Sequence, residues 1–208
     1  MGSNITKVKV TIKGVRPLLL HHFGPDALPL EKREKTGVAG NDPEEWRKTA
    51  LVNKDGQIYL DPSYAFACIR DGAKYTKKGK GSIQAVVAAT LQVLDDSVLI
   101  NRYLPGFPNG HACDLASAEA PTRDASAPVY LDVRSVKNPS TKGRNVRYRV
   151  ACSAGWSTSF TILFDKTIVS RAEMEAVLND AGVLVGIADG RSIGFGRFTV
   201  ESFEELES

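Results

Sequence analysis

The sequence predicts an α+β fold in which an antiparallel sheet carries its helices on one face. Three observations predict it. Apolar residues alternate with polar ones in residues 7–13, 129–137, 146–151 and 157–164, the period of half-buried strands. They recur near 3.6-residue spacing in residues 66–94 and 174–181, the period of amphipathic helices. The two kinds of segment also interleave along the chain, so strands and helices are expected to pack as layers of one core.

In chain order, Val8, Val10 and Ile12 form the apolar face of a first strand, and Lys7, Lys9, Thr11 and Lys13 its basic face. The strand is expected to continue through Leu18, Leu19 and Leu20 after a bend at Gly14 and Pro17. Residues 21–50 lack periodicity and read as a loop insertion with a short helix near 43–48. Residues 57–60 are a short strand. Asp61-Pro62 then caps a helix with apolar positions Phe66, Ile69 and Ala73, and Arg70, Lys74, Lys77 and Lys78 lie mainly off that stripe. Ser82 starts a second helix on Ile83, Val86, Val87, Thr90, Leu91 and Leu94.

Residues 97–100 read as a strand, and residues 101–128, rich in Pro, Gly, Ala, Asp and Ser, as an irregular insertion. Residues 129–151 form a long β-hairpin whose turn falls in the Asn, Pro, Ser and Gly of 138–145. After the strand at 157–164, Ser170 caps a helix with Met174, Val177, Leu178 and Ala181 on its apolar face and Gly182 as its stop. A last strand covers 197–203, with Phe198 and Val200 opposite Thr199 and Glu201. Without the insertions the order is βαββαβ. That is a ferredoxin-like or RNA-recognition-motif type sandwich, in one domain spanning 1–208.

Composition excludes several functions. The 208 residues contain no run near the ~20 apolar residues that span a bilayer. The start of the chain lacks the basic and apolar regions of a signal peptide, so a cytoplasmic protein is expected. Cys68, Cys113 and Cys152 are an odd, scattered set, which argues for a reducing compartment and against a disulfide scaffold. His111-x-Cys113 has no partner pair, so no metal and no cofactor are expected. Net charge is only +3, but basic residues collect in 70–80, in 137–149 and in the segment 186–198. Local patches, more than the total, govern polyanion binding.

That last segment, Gly186-Ile-Ala-Asp-Gly190-Arg191-Ser-Ile-Gly194-Phe-Gly196-Arg197-Phe198, carries the most information. Glycine allows close backbone approach, and arginine supplies a planar fork suited to phosphate. It follows a helix and precedes a strand, the reverse of a P-loop or a dinucleotide fingerprint, so nucleotide-cofactor binding is not expected. Two readings stand: a glycine-rich turn before an edge strand, or a polyanion-binding loop. Asp189 within it reads as a turn-former.

The chain resembles the RAMP superfamily of CRISPR-associated proteins, most of all the backbone subunits that coat guide RNA in effector complexes. The glycine segment is similar to the family's C-terminal glycine-rich loop. Ile58-Tyr-Leu-Asp-Pro62-Ser63 through Ile69-Arg70-Asp-Gly72 is similar to its approach to the first helix, although Asp61 stands where a hydrophobic residue is usual. The basic hairpin resembles its thumb. The resemblance implies that Arg70 faces RNA, that the hairpin crosses the strand, and that protomers assemble head-to-tail in a multi-subunit ribonucleoprotein of antiviral defence. The chain is short for such a subunit, which suits a phage or mobile-element relative.

The expected function is non-catalytic, sequence-tolerant binding of single-stranded nucleic acid, RNA before DNA. The expected contacts are Arg70, Lys74, Lys77, Lys78, Lys137, Lys142, Arg144, Arg147, Arg149, Gly190, Arg191, Gly194, Gly196 and Arg197. The hairpin's basic residues are expected on one face and the turn, with Tyr148 and Tyr130 on the alternate face and Tyr148 either stacking or packing. A rival reading is a metal-independent endoribonuclease using His21 or His22, since the resemblance includes members that cut guide RNA with a histidine near the first strand. The same histidines could instead cap the strand. A third reading is a structural or mimic subunit that binds only protein.

Overall fold

The computed structural model of the chain describes residues 4–23, 42–107, 114–137 and 142–207. In chain order its strands and helices begin with β1 (Ile5–Gly14), β2 (Leu18–Leu19), α1 (Glu45–Thr49), β3 (Gln57–Leu60) and α2 (Pro62–Gly72). There follow β4 (Lys77–Lys78), β5 (Gly81–Ser82), α3 (Gln84–Thr90), β6 (Gln92–Val93) and β7 (Val98–Tyr103). The chain ends with β8 (Val129–Lys137), β9 (Arg144–Cys152), β10 (Ser157–Asp165), α4 (Arg171–Asp180) and β11 (Phe198–Leu206). Wide and tight helical turns at Ala181–Val185 and Arg191–Ile193 join the last two.

The main sheet runs β11-β1-β10-β7-β3. β1 is antiparallel to both neighbours, and β10 is antiparallel to β7. The path β1-α2-β7-β10-α4-β11 therefore places its four strands in the order last, first, third, second. That is the ferredoxin-like core of an α+β fold, as the sequence predicts. Val8, Val10 and Ile12 are fully buried beneath the sheet, with Ile162, Phe164, Met174, Val177 and Leu178.

The helix starts follow their local chemistry. The Asp61 carboxylate accepts the Ser63 N–H at 2.9 Å, and Pro62 needs no partner at the first helical position. Ser170 and Glu173 form a reciprocal capping box at the start of α4.

The chain divides into two compact units. The first comprises Met1–Leu18, Tyr59–Asn101 and Ala154–Ser208, with the main sheet and α2, α3 and α4. The second comprises Leu19–Ile58 and Arg102–Ser153, and so is built from both insertions and the hairpin. Its sheet runs β2-β9-β8, with Leu131 paired to Val150 and Lys137 to Arg144. Within it, residues 104–107 and 114–128 carry no helix or strand, and the turn at 138–141 lies outside the described residues, as do His111 and Cys113.

Four expectations are corrected. Leu18 and Leu19 do not prolong β1; they pair with β9 in the hairpin sheet. The second helix stops at Thr90, before Leu91 and Leu94, because the strand takes over: Leu94 N–H bonds Thr161 O at 2.9 Å, and Asp95 accepts the Thr161 N–H. Lys77 and Lys78 lie on β4, not on α2. Gly182 does not stop α4, which unwinds through a wider turn to Gly186 at φ 83°. A Cβ at Gly182 would instead overlap the Phe198 carbonyl oxygen, so this glycine serves close packing.

Candidate nucleic-acid interface

In the first unit the site is organised by one carboxylate. Asp71, on the last turn of α2, accepts from Arg70 Nε at 3.2 Å and from Arg70 Nη2 at 3.1 Å. Lys74 Nζ lies 3.3 Å from the same oxygen, and Arg191 Nη1 donates to the other oxygen at 3.3 Å. Burial pushes the Asp71 carboxyl up, but the bonds and charges of Lys74 and Arg70 outweigh this and lower it. The Asp71 side chain is 17% exposed, whereas those of Arg70 and Lys74 are 41% and 53% exposed. Three cations are thus held around a sunken anion with their outer faces in solvent.

The glycine segment brings Arg191 there. Gly196 at φ 68° sits so close to Ile187 that a Cβ would overlap the Ile187 carbonyl oxygen, and Ile187 N–H bonds Gly196 O at 2.9 Å. Val15 N–H and Arg16 N–H both donate to Arg197 O, and Gly196 N–H to Pro17 O, tying the segment to the exit of β1. Gly196 is therefore a packing residue and is itself buried. Gly190 and Gly194 supply left-handed shoulders for the tight turn that carries Arg191.

Arg197 lies on the same glycine segment, and its Nη1 is buried with no hydrogen-bond partner among the described residues. Burial pushes the buried Cys68 thiol up to about 12, an effect that the charges of Arg191 and Arg197 oppose and that of Asp71 reinforces. Lys78, in contrast, is committed within the protein, to Ile168 O at 3.1 Å and Glu173 at 3.0 Å. Lys77 is exposed.

In the second unit the hairpin is basic on both faces, not on one. Its register puts Arg134, Arg147 and Arg149 on the face of Asp132, together with Tyr130, and Lys137 and Arg144 on the face of Tyr148, so the two tyrosines do not share a face. The charges also differ in availability. Arg149 and Asp132 are 5% and 6% exposed, face each other across the strands and approach to 3.5 Å, and Arg134 bonds Asp132 as well. These are structural groups at the root. Lys137, Lys142 and Arg144, toward the tip, are exposed, and Lys142 has a left-handed φ of 59°.

Glu45, on α1, holds the middle of the hairpin. Its carboxylate accepts from Arg147 Nη1 and from the Tyr148 backbone N–H at 3.1 Å, and His21 Nε2 lies 3.4 Å away. Burial raises the Glu45 carboxyl, but His21, the Tyr148 N–H and Arg147 together bring it down to about 2. His21 also packs edge-on against Phe23, while His22 ties its backbone N–H to Thr49 O at 3.0 Å. Neither Asp71 nor Glu45 stands out in the sequence, since their partners lie on distant segments. Asp71 follows Arg70 in the recognised motif, and that is the only local signal.

Among the described residues no group of three or more His, Cys, Asp or Glu could hold a metal ion. No helix among them is long and apolar enough to cross a membrane. The chain matches no protein-family model and no curated protein. Among solved structures it is similar to a chain of the type III-B Cmr-beta, determined by cryo-electron microscopy bound to cognate target RNA. The TM-score is 0.51 at 12% identity, over 98% of this chain and 61% of that one. The likeness is one of fold, and the chain spans under two thirds of its neighbour's length.

Proposed function

We propose that the protein binds single-stranded RNA along its backbone, without sequence readout and without cutting it, as a subunit of a RAMP-type ribonucleoprotein. The observation that carries this reading is the arginine group of the first unit. Arg70, Lys74 and Arg191 are pre-positioned around Asp71 with solvent-facing donors. Phosphodiester oxygens match those donors. The exposed Lys137, Lys142 and Arg144 supply a second basic surface on the hairpin. The neighbouring fold's RNA-bound state supports RNA over DNA, and head-to-tail association of protomers along the strand is part of the proposal.

Titration of labelled single-stranded RNA and DNA over a salt series, with the products run on a denaturing gel, tests the reading. Intact RNA with a steep fall of log affinity against log salt is expected, at about −0.7 per phosphate neutralised. Arg191→Ala and Arg197→Ala should each weaken binding with the fold intact. No binding of either polymer at low salt overturns the proposal.

One observation favours a nuclease as second reading: His21 lies beside an ionised carboxylate, which could orient its ring for proton transfer. Cleavage lost in His21→Ala would establish it. Glu45 is, however, already engaged with Arg147 and the Tyr148 N–H, and the structural role is the one its bonds describe.

A further inference from the structure

We infer that Ile193 is a base-contacting residue, so that the glycine segment grips unpaired nucleotides by phosphate and base face together. This rests on the nucleic-acid reading above and adds a contact of opposite chemistry to it. Ile193 is 61% exposed. Exposed aliphatics scattered singly need no explanation. Ile193 is not placed singly: it closes the same three-residue turn as Arg191, whose guanidinium is fixed on Asp71 beside Arg70 and Lys74.

The turn fixes the backbone that carries the side chain. Ile193 N–H bonds Gly190 O at 3.0 Å, Gly194 N–H bonds Arg191 O at 3.1 Å, and Phe195 N–H bonds Gly190 O at 3.2 Å. A β-branched side chain on a fixed backbone has little freedom to lose when a ligand covers it. Its flank is bare as well. Gly194 has no side chain, and a Cβ there would meet nothing within 4 Å. A flat group can therefore come down on Ile193 and run over the Gly194 backbone without displacing protein atoms.

The occupant must be anionic on one side and flat and apolar on the other. A single strand of nucleic acid has both properties. A duplex shows the phosphates but keeps its base faces within the stack. The pairing of Arg191 with Ile193 thus selects unpaired strands, and it does so without reading sequence, because every base has an apolar face.

The test uses the full chain and three labelled probes of equal length: oligouridylate, an abasic ribose-phosphate strand, and duplex RNA. Ile193→Ala should weaken oligouridylate binding about five-fold, as expected for one buried aliphatic contact, and leave the salt slope unchanged. Its affinity for the abasic strand and the duplex should equal that of the unsubstituted protein. Ile193→Leu should restore most of the loss. Arg191→Ala should weaken all three probes and flatten the slope by about 0.7. Unchanged oligouridylate binding by Ile193→Ala overturns the inference alone, as does an equal loss on the abasic strand. A shift in sedimentation with RNA affinity unchanged overturns it in favour of a protein contact. If the unsubstituted protein binds none of the probes, the nucleic-acid reading falls and takes this inference with it.

Discussion

Arg191 and Asp71 lie 120 positions apart in sequence, yet the guanidinium of one donates to the carboxylate of the other at 3.3 Å. The bond joins the glycine segment to the end of α2 and sets an anion among the very cations proposed to grip phosphate. Asp71 therefore both positions those cations and competes with the ligand for them. Asp71→Asn should raise affinity for single-stranded RNA by a few-fold at low salt and steepen the salt dependence, because Arg70, Lys74 and Arg191 are then less neutralised. Fluorescence anisotropy over a salt series measures both quantities. A loss of affinity at every salt concentration would show that positioning outweighs competition.

Glu45 gives the fold a pH dependence of definite sign. Its carboxyl is lowered in the folded protein from 4.5 to about 2, so the unfolded chain takes up its proton first as pH falls. The stabilisation is fully present above about pH 4.5 and is lost as pH falls towards 2. A shift of that size corresponds to about 2–3 kcal/mol after allowance for partial screening. Urea unfolding between pH 6 and pH 3 should show the decline, and Glu45→Gln should be less stable at pH 6 with a flatter profile.

The hairpin arginines should separate into two classes. Arg149→Ala leaves Asp132 buried with a weakened set of partners and should cost about 3–5 kcal/mol of stability. Arg144→Ala and Lys142→Ala, at exposed positions, should stay within about 0.5 kcal/mol of the unsubstituted protein while weakening RNA binding. Paired thermal melts and binding titrations on the three variants distinguish the classes.

The glycines of the segment should divide likewise. Gly196→Ala must push a methyl group into the Ile187 carbonyl at a left-handed φ, and should cost about 2 kcal/mol or more. Gly194→Ala meets open space and bears only the conformational strain, about 1–2 kcal/mol. Denaturant unfolding ranks the two.

What could be read from the sequence is what local chemistry decides. The alternation of Val8, Val10 and Ile12, the Asp61 cap, the Ser170 cap and the hairpin strands are each settled within a few residues, and the structure reproduces them. The glycine segment's place between helix and last strand was legible for the same reason. What distant groups decide was not. The end of α3 depends on Asp95 and Thr90 reaching the backbone of β10, at Thr161 and Asp165. The inward phase of β11 changes at an irregularity between Thr11 and Ile12, so Phe203 is buried although simple alternation from Phe198 would turn it outward. The availability of Arg149 and Arg144 differs because Asp132 and Glu45 occupy the root and middle of the hairpin and nothing comparable is described at its tip.

The central position of β1 has a consequence for how the chain acquires its shape. Thr11 shares a hydroxyl hydrogen bond with Ser159, 148 positions later, and the other neighbour of β1 comes later still. During synthesis β1 therefore leaves the ribosome long before either strand that will flank it, with Val8, Val10 and Ile12 uncovered and both edges open. Pairings over such separations form slowly and leave the nascent chain exposed to aggregation while it waits. A strand flanked on both sides in the finished sheet thus waits for both partners and depends on protection until they are made.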